Sequence, residues 1–384
     1  MGRITSRDTM AAGIPWSFAP ILDKSSNPLW ARTYETFGED PYTISVMADA
    51  VVRGMQSING SAACLKHFIA YSKTPTGHDK DGVTLTDFDP LNYFAPRFKA
   101  GFDAGALTTM ENYISVNGVP TIANPKLMTD LLRNDFGFDG VSVSDYAEIN
   151  QLKDFHRTAR SEDEATKQSL ERTTLDMSMI ASDDSFINGT KLLLERNPDI
   201  LSRIQTSARR VVKLKVQLGL YDNALPGEEY LDLVGNVDDV AAALEMARES
   251  IILLQNNDRT LPLSTNASIF LTGHTADRIA YRCGGWSVSG KQTTSTYDIS
   301  DDAVPHGISV KDGLEAIAAK ELAAKSEYTI AVIGEQPYHE KTGDLDDLAL
   351  PAGQIEYVKE IASTGTKVIL VLFEGRPRLL GELP

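Results

Sequence analysis

Cysteine is nearly absent from this chain of 384 residues: Cys64 and Cys283 are the two, far apart in sequence. Two cysteines cannot build a disulfide framework, and their spacing is wrong for a zinc site. Both are expected to pack as small buried apolar groups. Basic residues are outnumbered by acidic ones, 37 to 53, for a formal net charge of -16. Phosphate backbones and anionic lipid repel such a chain, so no nucleic-acid partner and no membrane partner is expected. No run is long and apolar enough to span a bilayer. Met1 to Met10 has no apolar core, so no signal peptide is expected in this chain. Repeats and low-complexity segments are also missing.

What is present is an ordinary globular composition, 42% hydrophobic and 23% charged, with length enough for two domains. The charge balance suits a neutral substrate such as a sugar without requiring one. Three Asn-x-Ser/Thr sequons, at Asn59, Asn188 and Asn266, permit a secreted, glycosylated parent protein.

Through the first two thirds of the chain, short apolar runs alternate with amphipathic stretches. The pattern predicts strands at Ile14–Leu22, Ala62–Ile69, Leu107–Tyr113, Gly140–Ser144 and Thr174–Ile180. It predicts helices at Tyr42–Gln56, Leu91–Ala104, Asn124–Asp135 and Ser202–Leu218, the third capped by Asn124 with Pro125 at its first position. Such alternation argues for βα units on a parallel sheet, in series as in a barrel. Tyr221–Asp239, rich in Asn, Pro, Gly and acidic residues, reads as a linker. Beyond it, helices are predicted at Val240–Leu254, Val310–Ala319 and Gln354–Ser363, and strands at Ser268–Thr272, Tyr328–Ile333 and Lys367–Leu372. The fold expected is α/β: an incomplete (β/α)8 TIM-type barrel over 1–220, a linker over 221–239 and an incomplete α/β sandwich domain with a mostly parallel sheet over 240–384.

In a barrel the chemistry sits at the C-terminal strand ends. That rule singles out Asp23, Lys66, His67, Tyr113 and Asp145, each at or just past the end of an apolar run. Singly, each also has a structural reading. Asp145, which closes Val141-Ser-Val-Ser-Asp145, is placed to cap a following helix. Lys66-His67 reads equally as a satisfied structural pair, and Arg32 as a surface ion-pair partner. Glu335, Glu340 and Asp344 read as solvated residues of a polar loop. Together, Arg, Lys, His, Tyr and Asp on one barrel face suit a polyol, with donors for its hydroxyls and a carboxylate for an oxocarbenium-like centre. Glycoside hydrolysis needs two carboxyl groups, about 5–5.5 Å apart in the retaining mechanism, and Asp145 suits the first role.

Seven segments, in order along nearly the whole chain, carry a resemblance. Trp30-Ala-Arg-Thr-Tyr-Glu-Thr-Phe-Gly-Glu-Asp-Pro41 is similar to WGRxxExFGEDP, and Lys66-His-Phe-Ile-Ala-Tyr71 to KHFxGY. Met110-Glu-Asn-Tyr-Ile-Ser-Val-Asn-Gly-Val-Pro120 is similar to MxxYNxxNGxP, and Phe136-Gly-Phe-Asp-Gly-Val-Ser-Val-Ser-Asp145 to GFxGxVxSDW. Ala247-Arg-Glu-Ser-Ile-Ile-Leu-Leu-Gln255 is similar to ARESIVLLKN. Cys283-Gly-Gly-Trp286 and Gly334-Glu-Gln-Pro-Tyr-His-Glu340, followed by Lys341-Thr-Gly-Asp344, resemble the exo-glucanase branch. The family resembled is glycoside hydrolase family 3, the β-glucosidase and exo-glucanase family.

The resemblance implies roles. Asp145 is expected to be the nucleophile, kept ionised by Lys66. Arg32, Lys66, His67 and Tyr113 are expected to hold the hydroxyls of the −1 sugar, with Met110 lining the subsite. Tyr146 stands where the family's aromatic wall is usually Trp, and Trp286 is a further aromatic contact. Glu340, from the second domain, is expected to be the acid/base, its pKa raised by partial burial, with Glu335 as runner-up. No cofactor and no metal is implied. The loop Ser72–Gly82 lacks the His/Asp dyad of the N-acetylglucosaminidase branch, since His78-Asp79 differs in spacing, and this disfavours that activity. The family's barrel begins about two βα units before Ile14, and no residue here matches the sugar-gripping Asp carried there.

The expected function is a retaining glycoside hydrolase that releases a terminal β-linked glucose or similar sugar from glucosides or β-glucans by double displacement. One alternative is a truncated or inactive fragment that at most binds sugar, with unpaired strand edges that invite aggregation. Another is a β-xylosidase or glycoside phosphorylase on the same scaffold. The expected partner is a small-molecule or oligosaccharide substrate; the residues imply no oligomeric state.

Overall fold

In a computed structural model of the chain, residues 1–180, 182–287, 301, 307–317 and 326–383 are described. Two compact units emerge. The first comprises Met1–Ser26, Glu35–Thr76 and Lys80–Ile251; the second comprises Asn27–Tyr34, Gly77–Asp79 and Ile252–Pro384.

The first unit is built on five strands: β1 (Trp16–Ser17), β2 (Ala62–Phe68), β3 (Thr108–Glu111), β6 (Val141–Tyr146) and β7 (Met177–Met179). A small antiparallel hairpin of β4 (Ser115–Val116) and β5 (Val119–Pro120) follows β3. The sheet order is β1-β2-β3-β6-β7, and every pairing is parallel. Each strand lies beside the next one along the chain, and the order never doubles back. That is the wall of a (β/α) barrel; a doubly wound sheet reverses at a crevice. β2 and β6 are buried over almost their whole length, so they show continuous small and apolar runs instead of alternation.

The helices between the strands follow ordinary rules. Asp40 caps Pro41–Gln56 by accepting the N–H groups of Tyr42 and Thr43, with Pro41 in the first turn. Ile44, Ala48, Val52 and Met55 face the sheet at helical spacing. The long helix Leu201–Gln217 packs Leu214 against Ala62 and Val141.

Several expectations are corrected by local chemistry. The predicted strand Ile14–Leu22 shrinks to Trp16–Ser17 plus one bridge, Ile21 to Lys66, because Pro20 has no N–H to give the ladder. The predicted helix Leu91–Ala104 splits into a wide π turn, Pro90–Phe94, and a helix, Ala95–Asp103, with Pro96 near the start of the second piece. The helix Lys126–Asp135 is also π-wound, and its start has no side-chain cap; the Asn124 carbonyl, not its amide, accepts the Met128 N–H. Residues 221–239 contain a 3-10 segment, Glu228–Leu233, and the start of the helix Val237–Ser250. Gly227, at φ +108, lies so close to the Met10 carbonyl that a Cβ would sit 1.8 Å from it. Arg7 also pairs with Asp239, so this segment packs on the N-terminal helix Gly2–Ala11.

Asp176 ties the unit together. Its side chain is fully buried and accepts from Arg133 Nη2 at 2.7 Å, Ser142 N–H at 3.0 Å, Ser207 Oγ at 2.6 Å and Arg210 Nη1 at 3.2 Å. Those donors come from two helices and β6. Asp176→Ala is expected to destabilise the fold by about 3–5 kcal/mol, because it strands a buried guanidinium. A lowered urea midpoint at unchanged slope is the measurement; a loss below about 1 kcal/mol would contradict the role.

The second unit has three parallel strands, β8 (Ile269–Thr272), β9 (Tyr328–Gly334) and β10 (Lys367–Phe373), in the order β10-β9-β8. The central strand β9 is apolar on both faces. Ala331 and Ile333 pack with Leu350, Val358 and Leu383, while Ile330 and Val332 pack with Ala276 on the other side. The helices Val310–Ile317 and Gln354–Ser363 accompany the sheet.

Candidate active site

The predicted site residues fall into two groups, one in each unit. In the first unit, Lys66 and His67 lie at the end of β2, Met110 on β3, Tyr113 just past β3, and Asp145 and Tyr146 at the end of β6. These are the C-terminal ends of adjacent parallel strands.

Asp145 is 8% exposed, and its Oδ1 accepts the Tyr146 N–H at 2.7 Å. It does not cap the next helix: Ala147, at φ +55, occupies that position for Glu148–Asp154. Asp145 Oδ2 lies 3.7 Å from His67 Nε2. The other ring nitrogen, Nδ1, is 2.8 Å from Asp23 Oδ2, which also accepts the His67 N–H at 3.2 Å. Asp23, His67 and Asp145 thus form a buried carboxylate–imidazole–carboxylate line in which Asp23 orients the ring. Asp23 stood out by its strand-end position alone; its link to His67 spans 44 residues of sequence and leaves no local signal. The Tyr113 hydroxyl donates to the Tyr146 carbonyl at 2.8 Å, and Lys80 Nζ lies over the Tyr113 ring at 3.9 Å. Met110 is buried against Cys64 and Val143. Tyr146 is 44% exposed.

Two further acids, absent from the sequence expectations, stand behind Asp145. Glu111 ends β3 and Glu148 opens the following helix, and both are fully buried. Burial above all pushes both carboxyls well above the usual range, helped by the charge of Asp145 and, at Glu148, of Glu111; at Glu111 its own N–H and then the Asp145 N–H oppose this without outweighing it, as Lys80 does at Glu148. His156 Nε2 lies 3.5 Å from Glu148 Oε1, and burial lowers the pKa of that imidazole to about 4. The folded chain keeps protons on both acids that the unfolded chain releases above about pH 4.3. Their stabilising effect is therefore complete at low pH and is lost as pH rises toward their folded values. Glu148→Gln, which has no proton to lose, should gain on the wild type by about 1.4 kcal/mol per pH unit above pH 4.5, until Glu148 itself ionises. Urea midpoints of both proteins at pH 4.5, 6 and 7.5 measure this, and a pH-independent difference contradicts it.

In the second unit, Arg32 is 2% exposed and its Nη1 lies 3.5 Å from Glu340 Oε1. Arg32 is therefore a buried partner and not a surface one. The Glu340 side chain keeps 15% exposure, and its residue opens the turn Glu340–Gly343 at φ +45. A guanidinium thus faces the Glu340 carboxyl in addition to the partial burial expected there. Trp286 lies against His339 with ring centroids 4.3 Å apart and planes tilted by 47°, and Tyr34 meets Tyr338 edge-on at 5.6 Å. Asp344 accepts the Asp79 N–H at 2.8 Å, and Asp79 in turn accepts from Trp30 Nε1 at 3.3 Å.

Glu335, the alternative acid/base, is engaged structurally. Its Oε1 accepts from the Tyr338 hydroxyl at 2.9 Å and the Gly375 N–H at 3.0 Å, and its Oε2 pairs with Arg378 Nη2 at 2.8 Å. Three donors therefore hold the Glu335 carboxylate, whereas the Glu340 carboxyl has Arg32 at 3.5 Å and keeps 15% exposure. Among the described residues, no group of three or more His, Cys, Asp or Glu side chains is disposed to hold a metal ion.

Comparison with known proteins bears on both units. The description "Glycosyl hydrolase family 3 N terminal domain" matches residues 1–214, and "Glycosyl hydrolase family 3 C-terminal domain" matches residues 251–383. The chain belongs to glycosyl hydrolase family 3. Among its family 3 relatives, a lysosomal beta glucosidase of Dictyostelium discoideum is 39% identical over 98% of this chain and 50% of the relative. A periplasmic beta-glucosidase of Salmonella typhimurium is 28% identical over 99% of this chain and 55% of the relative. The crystal structure of a beta-glucosidase from Listeria innocua in complex with glucose superposes with a TM-score of 0.89 at 28% identity, covering 98% of this chain and 54% of that one. The family 3 chain described here spans about half the length of the curated relatives it matches. The family assignment and the solved relatives agree with a TIM-type barrel followed by an α/β domain.

Proposed function

We propose that the protein carrying this chain is a retaining β-glycosidase that releases terminal β-linked glucose by double displacement. The reading rests on Asp145, a carboxylate at a C-terminal strand end, steadied by the Tyr146 N–H and facing an imidazole that Asp23 orients. In this reading Asp145 attacks the anomeric carbon. Glu340 gives its proton to the leaving oxygen, then takes one from water to release the covalent intermediate. Arg32, Lys66 and His67 hold sugar hydroxyls, and Tyr113 braces the strand end through the Tyr146 carbonyl.

Hydrolysis of an aryl β-glucoside followed by NMR tests the mechanism. The β-anomer is expected to appear first; the α-anomer first would overturn retention. Sugar binding without turnover would favour the binding-only fragment. A β-xylosidase is the second reading, supported by relatives of that name, among them a Formosa agariphila beta-xylosidase 29% identical over 98% of this chain. The ratio of kcat/KM for aryl glucoside and aryl xyloside decides between them, and glycosyl phosphate formed in added phosphate would mark a phosphorylase. Asn59, Asn188 and Asn266 are all exposed, which supports a glycosylated, exported parent, and no described helix is long and apolar enough to cross a membrane.

A further inference from the structure

Glu111 sits where the pairing of β3 with β6 runs out. The last paired residues are Met110 and Val143. Just beyond them the buried N–H of Asp145 donates to the Glu111 side chain, at 3.2 Å from Oε1. A side chain thus extends the ladder at the residue that carries the candidate nucleophile. We propose that Glu111 is a positioning residue for Asp145: a neutral carboxylic acid that accepts the Asp145 N–H and fixes the strand end without adding a second negative charge beside it. This rests on the reading of Asp145 as the nucleophile.

The surroundings support the neutral form. Asp145 on β6, Glu148 on the next helix and Cys64 on β2 face Glu111; Lys66 lies near Cys64, and Lys80 and His156 face Glu148. No ion pair joins Glu111 to a cation among the described residues, and its Oε2 is buried without a hydrogen-bond partner. A charge there would be buried and uncompensated, and would oppose ionisation of the nucleophile. A neutral acid keeps the acceptor and removes the repulsion. The Asp145 N–H, held by Glu111, then fixes the strand end, while the next N–H, that of Tyr146, fixes the Asp145 carboxylate through Oδ1.

Three proteins test the proposal: wild type, Glu111→Leu and Glu111→Gln. Glu111→Leu, which lacks the acceptor, is expected to lower kcat by about tenfold or more with KM within about threefold. Glu111→Gln, a neutral isostere with a carbonyl in place, should recover most of that loss and leave the acidic limb of the pH profile where it was. Infrared spectra at neutral pH should show protonated carboxylic acid in the wild type, with one acid lost in Glu111→Gln. A downward shift of the acidic limb by about half a pH unit or more in Glu111→Gln, an unchanged acid band, or wild-type kcat in Glu111→Leu overturns the proposal. Should Glu111→Leu fail to fold, the limb and the band in Glu111→Gln still decide. Wild-type turnover in Asp145→Asn would instead sink the nucleophile reading, while the infrared band still reports whether Glu111 is neutral.

Discussion

Asp145→Asn is expected to lower kcat for an aryl β-glucoside by about 10⁴-fold or more, with the fold intact. The amide keeps the size of the carboxylate and can still accept the Tyr146 N–H that now reaches Oδ1. It cannot attack, because the negative oxygen that forms the covalent intermediate is gone. Added azide discriminates this from simple damage in a second variant, Asp145→Ala, which removes the carboxylate and leaves room for a small anion. A small anion entering the vacated space should restore turnover and give the α-glycosyl azide, since it attacks from the face Asp145 would have used. A variant that is silent to azide yet still binds sugar would place the nucleophile elsewhere. Wild-type activity in the variant would end the assignment.

Glu340→Gln should give the second largest effect, and its size should depend on the leaving group. A glucoside with a poor leaving group needs a proton as the bond breaks, so its hydrolysis is expected to fall by about 10³-fold. A dinitrophenyl glucoside needs little protonation, and its first step should fall by less than about tenfold. Azide should then speed the second step, which lacks its base, to give the β-glycosyl azide. Equal losses on both substrates would argue that Glu340 only supports Arg32, its partner at 3.5 Å. The same measurements on Glu335→Gln provide the contrast: lowered stability is expected, with no dependence on the leaving group, because its oxygens are held by Tyr338, Gly375 and Arg378.

The strands were legible where burial is uniform. Ala62–Phe68, Val141–Tyr146 and Tyr328–Gly334 are continuous buried runs, and their ends place Lys66, His67 and Asp145 with little ambiguity. Helix Gln354–Ser363 follows from its periodicity. Proline explains the misread boundaries, since Pro20 and Pro96 interrupt patterns whose hydrophobicity alone reads as continuous. What composition and spacing did not carry was side-chain pairing over long separations. The different surroundings of Glu335 and Glu340 come from Arg378, Gly375 and Arg32, all remote in sequence. Glu111 left one faint mark: an acid closing a strand whose other residues, Thr108, Thr109 and Met110, are all buried.

The rims of the five-stranded sheet bear on how the molecule behaves in concentrated solution. β1 offers two paired residues flanked closely by Pro15 and Pro20, and β7 offers three. An incoming chain would find too few consecutive N–H and C=O groups at either rim to add a strand. Stickiness should instead reside in Ile251–Leu254, four consecutive apolar residues each 63–75% exposed. A charge placed within that run, and not at the sheet rims, is the change that would keep the protein dispersed.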